Sequence, residues 1–369
     1  RIFYLRLSRF DKAKAFFKQS YDLFKEIEQS DQIVETLLEL GLVSEKQGDF
    51  DIALTRYKEA EKLAKEIDMK PGLSKAFLYQ ANSHWFQGNY QQAFKFQRKA
   101  LTISEKISDK RQQTFIYNTL GLIYWTLNNS PRALENLNKS LKLANDIEST
   151  LDIATAYNNI GLVYRKNKKY EKSIEFFQKA LTRDEELKSK WGQGYTHRNL
   201  GMSYLRLNQL DSAAGHIRQA VALSREIGNQ TNLVKSMLES GNLAMKRKNC
   251  DKAIFTFKET EVLAEKLRIS EVHWRALRGQ GKCLATQGQL IQATAAYKKS
   301  ARIVEDMRAA IKIEEFQNGF LTDKQDVFKE LVLLLLNRGK TEEAFAYAEK
   351  AKSRSFIDLI GNQKINLKN

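Results

Sequence analysis

Apolar residues recur along this chain at helical spacing, in short amphipathic blocks, and no segment alternates with period two. Short polar turns such as Gln47-Gly48-Asp49 and Gln287-Gly288-Gln289 separate the blocks. A forty-residue register runs through this pattern: Gly41, Gly121, Gly161, Gly201, Gly241 and Gly281 share one position, with Ala81 in the remaining place. Twelve positions later comes a small residue: Ala53, Ala93, Ala133, Ser173, Ala213, Ala253 and Ala293. Another follows at nineteen: Ala60, Ala100, Ser140, Ala180, Ala220, Thr260 and Ser300. An aliphatic one follows at twenty-six, from Ile67 and Ile107 through Leu267, with Met307 closing the series. Nine positions after the glycine stand Phe50, Tyr90 and Tyr170, replaced in other repeats by Ser130, Leu210, Cys250 and Leu290. Glycine inside a helix costs about 1 kcal/mol relative to alanine, so this regularity needs a repeated packing reason. Close approach of a neighbouring helix, once per repeat, supplies it.

The chain therefore reads as all-α, a solenoid of helix–turn–helix repeats. Helices are expected near 34–47, 50–68, 72–87, 90–107, 112–127, 131–147, 152–167, 170–187, 191–207, 210–227, 231–247, 250–267, 271–287 and 290–316. Two prolines punctuate the 369 residues. Pro71 is expected in a connection between repeats, and Pro131 after Ser130 suits an N-cap followed by the first helical position. Nothing approaches the ~20 apolar residues needed to span a bilayer. The run Leu331 to Leu336 reads as one buried helix face.

The segment Tyr157-Asn158-Asn159-Ile160-Gly161-Leu162-Val163-Tyr164, with Tyr170, Ser173, Phe177 and Ala180, resembles a tetratricopeptide repeat. The likeness recurs in register from about residue 1 to 316 and is similar to the longer, forty-residue variety. It implies a right-handed superhelix of about seven full repeats after a truncated first one. Residue 1 falls at the glycine position of an earlier repeat, so the chain is expected to start inside a first helix, with Ala13 and Ser20 on the second.

Residues 317–369 leave the register and are expected to form an atypical helical hairpin, with turns at Gly319, Thr322 and Asp323 and at Gly339, Lys340 and Thr341. Ala348, Glu349, Ala351, Lys352, Arg354, Asp358 and Leu359 resemble the last hairpin of bacterial tetratricopeptide proteins that continue into a caspase-like CHAT protease domain. That resemblance implies a regulatory segment whose protease domain, with its catalytic His and Cys, lies beyond residue 369. A degenerate repeat capping the array is the plainer alternative.

Candidate chemistry is sparse. His84, His197, His216 and His273 never stand within a helical turn of one another, so none pairs into a metal site. Cys250 and Cys283 read as lone packing residues at corresponding first-helix ends, and reduced cysteines suit an intracellular, cytoplasmic protein. Gly279-Gln280-Gly281-Lys282 lacks the strand and glycine spacing of a phosphate loop. The segment is expected to be non-catalytic, without cofactor, metal or membrane partner.

Charge changes the picture more. The chain carries 61 basic and 44 acidic side chains, a net +17. Residues 301–369 hold 12 basic and 11 acidic, so the excess belongs to the repeats. Cations near helix C-termini are one reading of it. A positive surface for an acidic partner or for nucleic acid is the other.

In the family resembled, first helices line a concave wall. Carried onto this register, the wall offers Lys75, Tyr79, Asn82, Trp85, Phe86, Phe115, Asn118 and Trp125 in early repeats. Middle repeats offer Asn158, Asn159, Arg165, Lys166, Tyr195, Arg198, Asn199 and Arg206, and later ones Lys235, Asn242, Lys246, Arg275, Arg278 and Lys282. Aromatics there are typical binding anchors, asparagines bond a peptide's N–H and carbonyl, and arginines add charge-assisted bonds to carboxylates or phosphates. The lysine–asparagine–arginine clamp for a C-terminal carboxylate is missing across consecutive repeats. Two function classes stay open: a sensing scaffold holding an acidic protein segment, and a basic scaffold contacting nucleic acid or a ribonucleoprotein effector.

Overall fold

The computed structural model describes residues 10–309 and 324–350. Among them every regular element is an α-helix. In chain order these are α1 (Phe10–Glu26), α2 (Ser30–Gln47), α3 (Phe50–Glu66), α4 (Lys70–Phe86), α5 (Tyr90–Lys106), α6 (Lys110–Thr126), α7 (Ser130–Asp146) and α8 (Thr150–Lys166). There follow α9 (Tyr170–Glu186), α10 (Lys190–Arg206), α11 (Leu210–Glu226), α12 (Gln230–Lys246), α13 (Cys250–Lys266), α14 (Ser270–Thr286), α15 (Leu290–Ala309) and α16 (Gln325–Asn337). Even-numbered helices are the first of each repeat and odd-numbered ones the second. None is long and apolar enough to cross a membrane.

Connections are shorter than the sequence suggests. First helices begin at 30, 70, 110, 150, 190, 230 and 270, up to four residues ahead of the expected starts. The reason is a left-handed residue between helices. Asp68, Ser108, Glu148, Lys188 and Arg268 take φ of 51–54° before first helices, and Gly48, Gly88 and Gly288 take 74–91° before second helices. The Ser108 and Asp109 N–H groups return to the Glu105 and Ser104 carbonyls at 3.1 and 2.8 Å. This closes the helix end and reverses the chain at once. Two local expectations are corrected accordingly. Pro71 lies in the first turn of α4, where its missing N–H leaves no helical bond broken. The cap of α7 is Asn129, which accepts from the Arg132 N–H at 3.2 Å, and Ser130 is already helical.

The glycine register has the physical cause inferred for it. A Cβ at Gly41 would lie 2.3 Å from the Tyr57 ring, one at Gly161 2.6 Å from Phe177, and one at Gly241 2.4 Å from Phe257. Gly121 meets Leu137 in the same way, and Gly201 is also buried. Each of these rings is fully buried, so it has nowhere to retreat. The small positions at twelve and nineteen are buried throughout. At position nineteen, where serine replaces alanine, its hydroxyl donates to a first-helix carbonyl, Ser140 to Thr114 at 2.9 Å and Ser300 to Trp274 at 2.8 Å. That satisfies the group inside the core.

The described residues form two compact bodies, residues 10–207 with 222–229, and residues 208–221 with 230–309 and 324–350. In the first, α2 touches α4, α4 touches α6, α6 touches α8 and α8 touches α10. In the second, α12 touches α14. Leaving α11 aside, no two second helices of either body pack as closely among the described residues. The layer whose members touch lies at the shorter radius, so within each body first helices form the inner wall. In the second body α16 packs on α15. Val327, Phe328, Leu331, Leu334 and Leu335 join Trp274, Tyr297 and Val304 in one core. Residues 341–350 are helical, and Lys298 reaches Glu343 at 2.8 Å. The expected turn at 319–323 and the residues Ala351, Lys352, Arg354, Asp358 and Leu359 lie outside the described residues, as does any part of α15 beyond 309.

Candidate functional site

In the first body the wall residues divide into an internal ladder and an exposed set. Asn159 donates to Asn118 at 2.7 Å, Asn158 to the Thr196 hydroxyl at 2.8 Å, and Arg165 to the Asn199 carboxamide oxygen at 3.1 Å. Asn158, Asn159, Asn199 and Arg198 are buried. A buried amide must find partners, and equivalent positions on successive first helices are close enough to supply them. Asn118, Asn158, Asn159 and Asn199 thus bond between first helices of successive repeats. Tyr79 packs against Tyr57 at a 47° tilt with centroids 5.4 Å apart, and burial pushes its phenol up. Lys75 pairs with Glu35 at 2.6 Å.

The aromatics are more open. Trp85 stacks on Phe86 at 4.8 Å and donates its indole N–H to Thr126 at 3.3 Å. Lys166 sits 4.6 Å above the Trp125 ring. Trp191 lies parallel to Tyr195, with the Arg198 guanidinium 4.8 Å from the Tyr195 centroid. Phe86, Phe115 and Trp191 remain 49%, 45% and 44% exposed. Asn82 Oδ1 and Trp125 Nε1 are buried without a hydrogen-bond partner. Lys166 and Arg206 at the far end of this wall are exposed.

In the second body the chain supplies its own acids. Arg278 donates to Glu330 at 2.6 and 2.9 Å and to Asp326 at 3.0 Å, all on α16. Lys282 reaches Glu330 at 2.9 Å, and Arg275 pairs with Glu271 at 2.6 Å. Asn242 donates to Glu239 at 3.1 Å, and Lys235 is half-buried.

Three arrangements lie outside the site residues singled out from the sequence. The first is the large residue sixteen positions after each glycine: Tyr57, Gln97, Leu137, Phe177, Ile217, Phe257 and Tyr297. It was legible as a periodic series. The second is buried Asp184, whose carboxylate accepts from Thr196 at 2.9 Å. Burial pushes its pKa to about 6. The third is a correction to the cysteines. Cys250 opens α13, a second helix, while Cys283 lies near the end of α14, and the two line one cavity. His84 stacks on Phe96 at 5.4 Å, and burial pulls its pKa down. No group of three metal-ligating side chains occurs among the described residues. Gly279-Gln280-Gly281-Lys282 is interior helix.

No curated protein matches the chain. Among solved structures, a Rap protein complexed with Competence and Sporulation Factor is similar over 97% of this chain and 98% of its own, at TM-score 0.60 and 15% identity. A signal-transduction ATPase with a tetratricopeptide repeat sensor from Pyrococcus horikoshii matches 80% of this chain at TM-score 0.60 and 20% identity, and the match spans 45% of that protein. The apo form of RapI matches 75% of this chain and 99% of its own at TM-score 0.55 and 15% identity. These likenesses concern the fold, an all-α solenoid. The profile of the tetratricopeptide repeat matches residues 2–66, 73–146 and 152–226, and a second profile of the same repeat matches 38–106. With more than half its length matched and its helices stacked as that repeat requires, the chain belongs to the tetratricopeptide repeat family.

Proposed function

We propose that the protein is an interaction scaffold whose first-helix wall in the first body holds a segment of a partner protein. The observation that carries this is the series of half-exposed rings on that wall, Phe86, Phe115 and Trp191. Rigid aromatics on a packed surface make binding anchors at low entropic cost. Exposed Lys166, above the Trp125 ring, and exposed Arg206, at the end of α10, orient an acidic part of the segment toward the ends of α8 and α10. On this reading the scaffold senses its partner and controls a caspase-like CHAT domain. The support is the resemblance at Ala348 and Glu349 and in the residues after them. The sequence encoded after Asn369 tests that part, since a caspase-like domain requires its His and Cys there.

A second reading, contact with nucleic acid, is favoured by the net +17 concentrated in the repeats. One experiment separates the two. A peptide selected on the protein from a displayed library is measured against Trp191→Ala, Lys166→Glu, Arg206→Glu and, as an outer-face control, Lys139→Glu. The scaffold reading expects Trp191→Ala to cost ~2 kcal/mol or more with unchanged salt dependence, and the control to bind normally. The nucleic-acid reading expects duplex or single-stranded oligonucleotides to bind, with a log–log salt slope of about −0.7 to −0.9 per neutralised phosphate. In that case the control matters as much as the wall.

A further inference from the structure

The chain has two cysteines, and the fold places both on one cavity. They stand 33 residues apart, Cys250 nine positions after one register glycine and Cys283 two after the next. That spacing sets a second helix against the following first helix. The same seam in the first body joins Ser173 to Ser203 through their hydroxyls at 2.8 Å. Here it brings two thiols together. Cys283 is buried and Cys250 only half-buried, and both line the same cavity. The cavity beside them measures about 550 Å³ and is lined also by Met245, Lys248, Lys282, Tyr297 and Glu330. A buried thiol in apolar surroundings is inert, whereas an accessible one beside cations reacts. The two sulfurs therefore differ in role.

We propose that Cys250 and Cys283 form a reactive dithiol, modified by an anionic low-molecular-weight disulfide of the glutathione class that this cavity admits. Cys250 Sγ gives its proton to solvent and attacks one sulfur of the reagent. The reagent's S–S bond breaks, one small thiolate leaves, and a mixed disulfide forms on Cys250. Cys283 Sγ then loses its proton and attacks Cys250 Sγ, expelling the second small thiolate and forming the Cys250–Cys283 bond. Two protein thiols are oxidised and one small disulfide is reduced to two thiols. Burial and the neighbouring Cys250 push the Cys283 thiol up to about 12, which orders the steps: Cys250 reacts first and Cys283 resolves. Lys282 is paired with Glu330 at 2.9 Å on the same cavity, so exposed Lys248 supplies the positive charge that favours an anionic reagent. The product clamps the start of α13 to the end of α14. This inference is independent of what the first body binds.

The test uses the full chain, reduced and then incubated with glutathione disulfide, followed by alkylation, intact mass and peptide mapping. Wild type is expected to become lighter by two hydrogen atoms, with the Cys250 and Cys283 peptides linked and dithiothreitol restoring both thiols. Cys283→Ser is expected to stop with one glutathione on Cys250, and Cys250→Ser to stay unmodified. Glutathione disulfide is expected to react severalfold faster than the cationic disulfide cystamine at low salt, and equal rates overturn the anionic assignment. A stable glutathione adduct on wild type, a bond between two chains, first modification at Cys283, or no reaction by protein whose helicity is intact overturns the proposal.

Discussion

Asp184 stands where other repeats keep Ala64, Ser104, Ala144, Ser224, Ala264 or Val304. The fold makes room for it by removing a side chain opposite: a Cβ on Gly192 would fall 2.0 Å from its carboxylate oxygen. Burial raises its pKa from 3.8 to about 6. A carboxyl that holds its proton more tightly when folded stabilises the fold at low pH, and that contribution is lost as pH rises from about 4 to about 6. Asp184→Asn is therefore expected to stabilise the protein at pH 7 by about 1–3 kcal/mol. It should also flatten the difference in stability between pH 4 and pH 6, read by urea unfolding across that window. Gly161→Leu acts in the opposite direction. Its side chain meets the buried Phe177 ring, and overpacking of this kind costs ~1–3 kcal/mol, visible as a lower urea midpoint at unchanged slope. The Gly161 requirement was legible from the register. The Asp184 pocket was not, because a single polar residue in a small-residue series says nothing of which helix faces it.

At the scale of the element, helices of 17 residues alternate with three-residue connections. Ten of the left-handed connection residues are not glycine, among them exposed Lys188. A side chain there costs ~1–2 kcal/mol, partly offset in glycine by its greater unfolded entropy. Lys188→Gly is expected to raise stability by about 0.5–1 kcal/mol in thermal melts, without altering helix content. Asn129→Ala removes the side-chain cap of α7 and is expected to cost ~0.5–2 kcal/mol. Amide exchange should show the loss first at Arg132, whose N–H the cap accepts, and at Ala133. Helix existence and order followed from periodicity alone. The starts did not, because the left-handed turn leaves no compositional mark when lysine, serine or glutamate occupies it.

At the scale of the whole molecule, each repeat leans on its neighbours, so stability spreads by nearest-neighbour steps. A defect should then stay local. In Gly161→Leu, hydrogen exchange is expected to quicken in α7 to α10 while α14 and α15 keep wild-type protection. Uniform loss along the chain would mean that the array unfolds as one unit. The basic excess is likewise distributed over repeats, yet at the end of the second body Arg278 and Lys282 are met by Glu330 and Asp326. The carboxylates of α16 thus occupy cations that the register alone assigned to a partner's acids.

By itself the sequence determined the repeat, its period, the small and large positions of its core and the absence of strands among the described residues. All of these follow from local spacing, since a residue's position in a 3.6-residue helix tells which face it shares. Tertiary structure decided what each wall residue does. Whether Asn158 meets a ligand or Thr196, whether Arg278 is open or bound by α16, and whether Cys250 and Cys283 are strangers or neighbours depend on which helices stack against which. Those contacts join residues 33 to 52 positions apart, and their partners are set by packing between repeats rather than by any pattern within one.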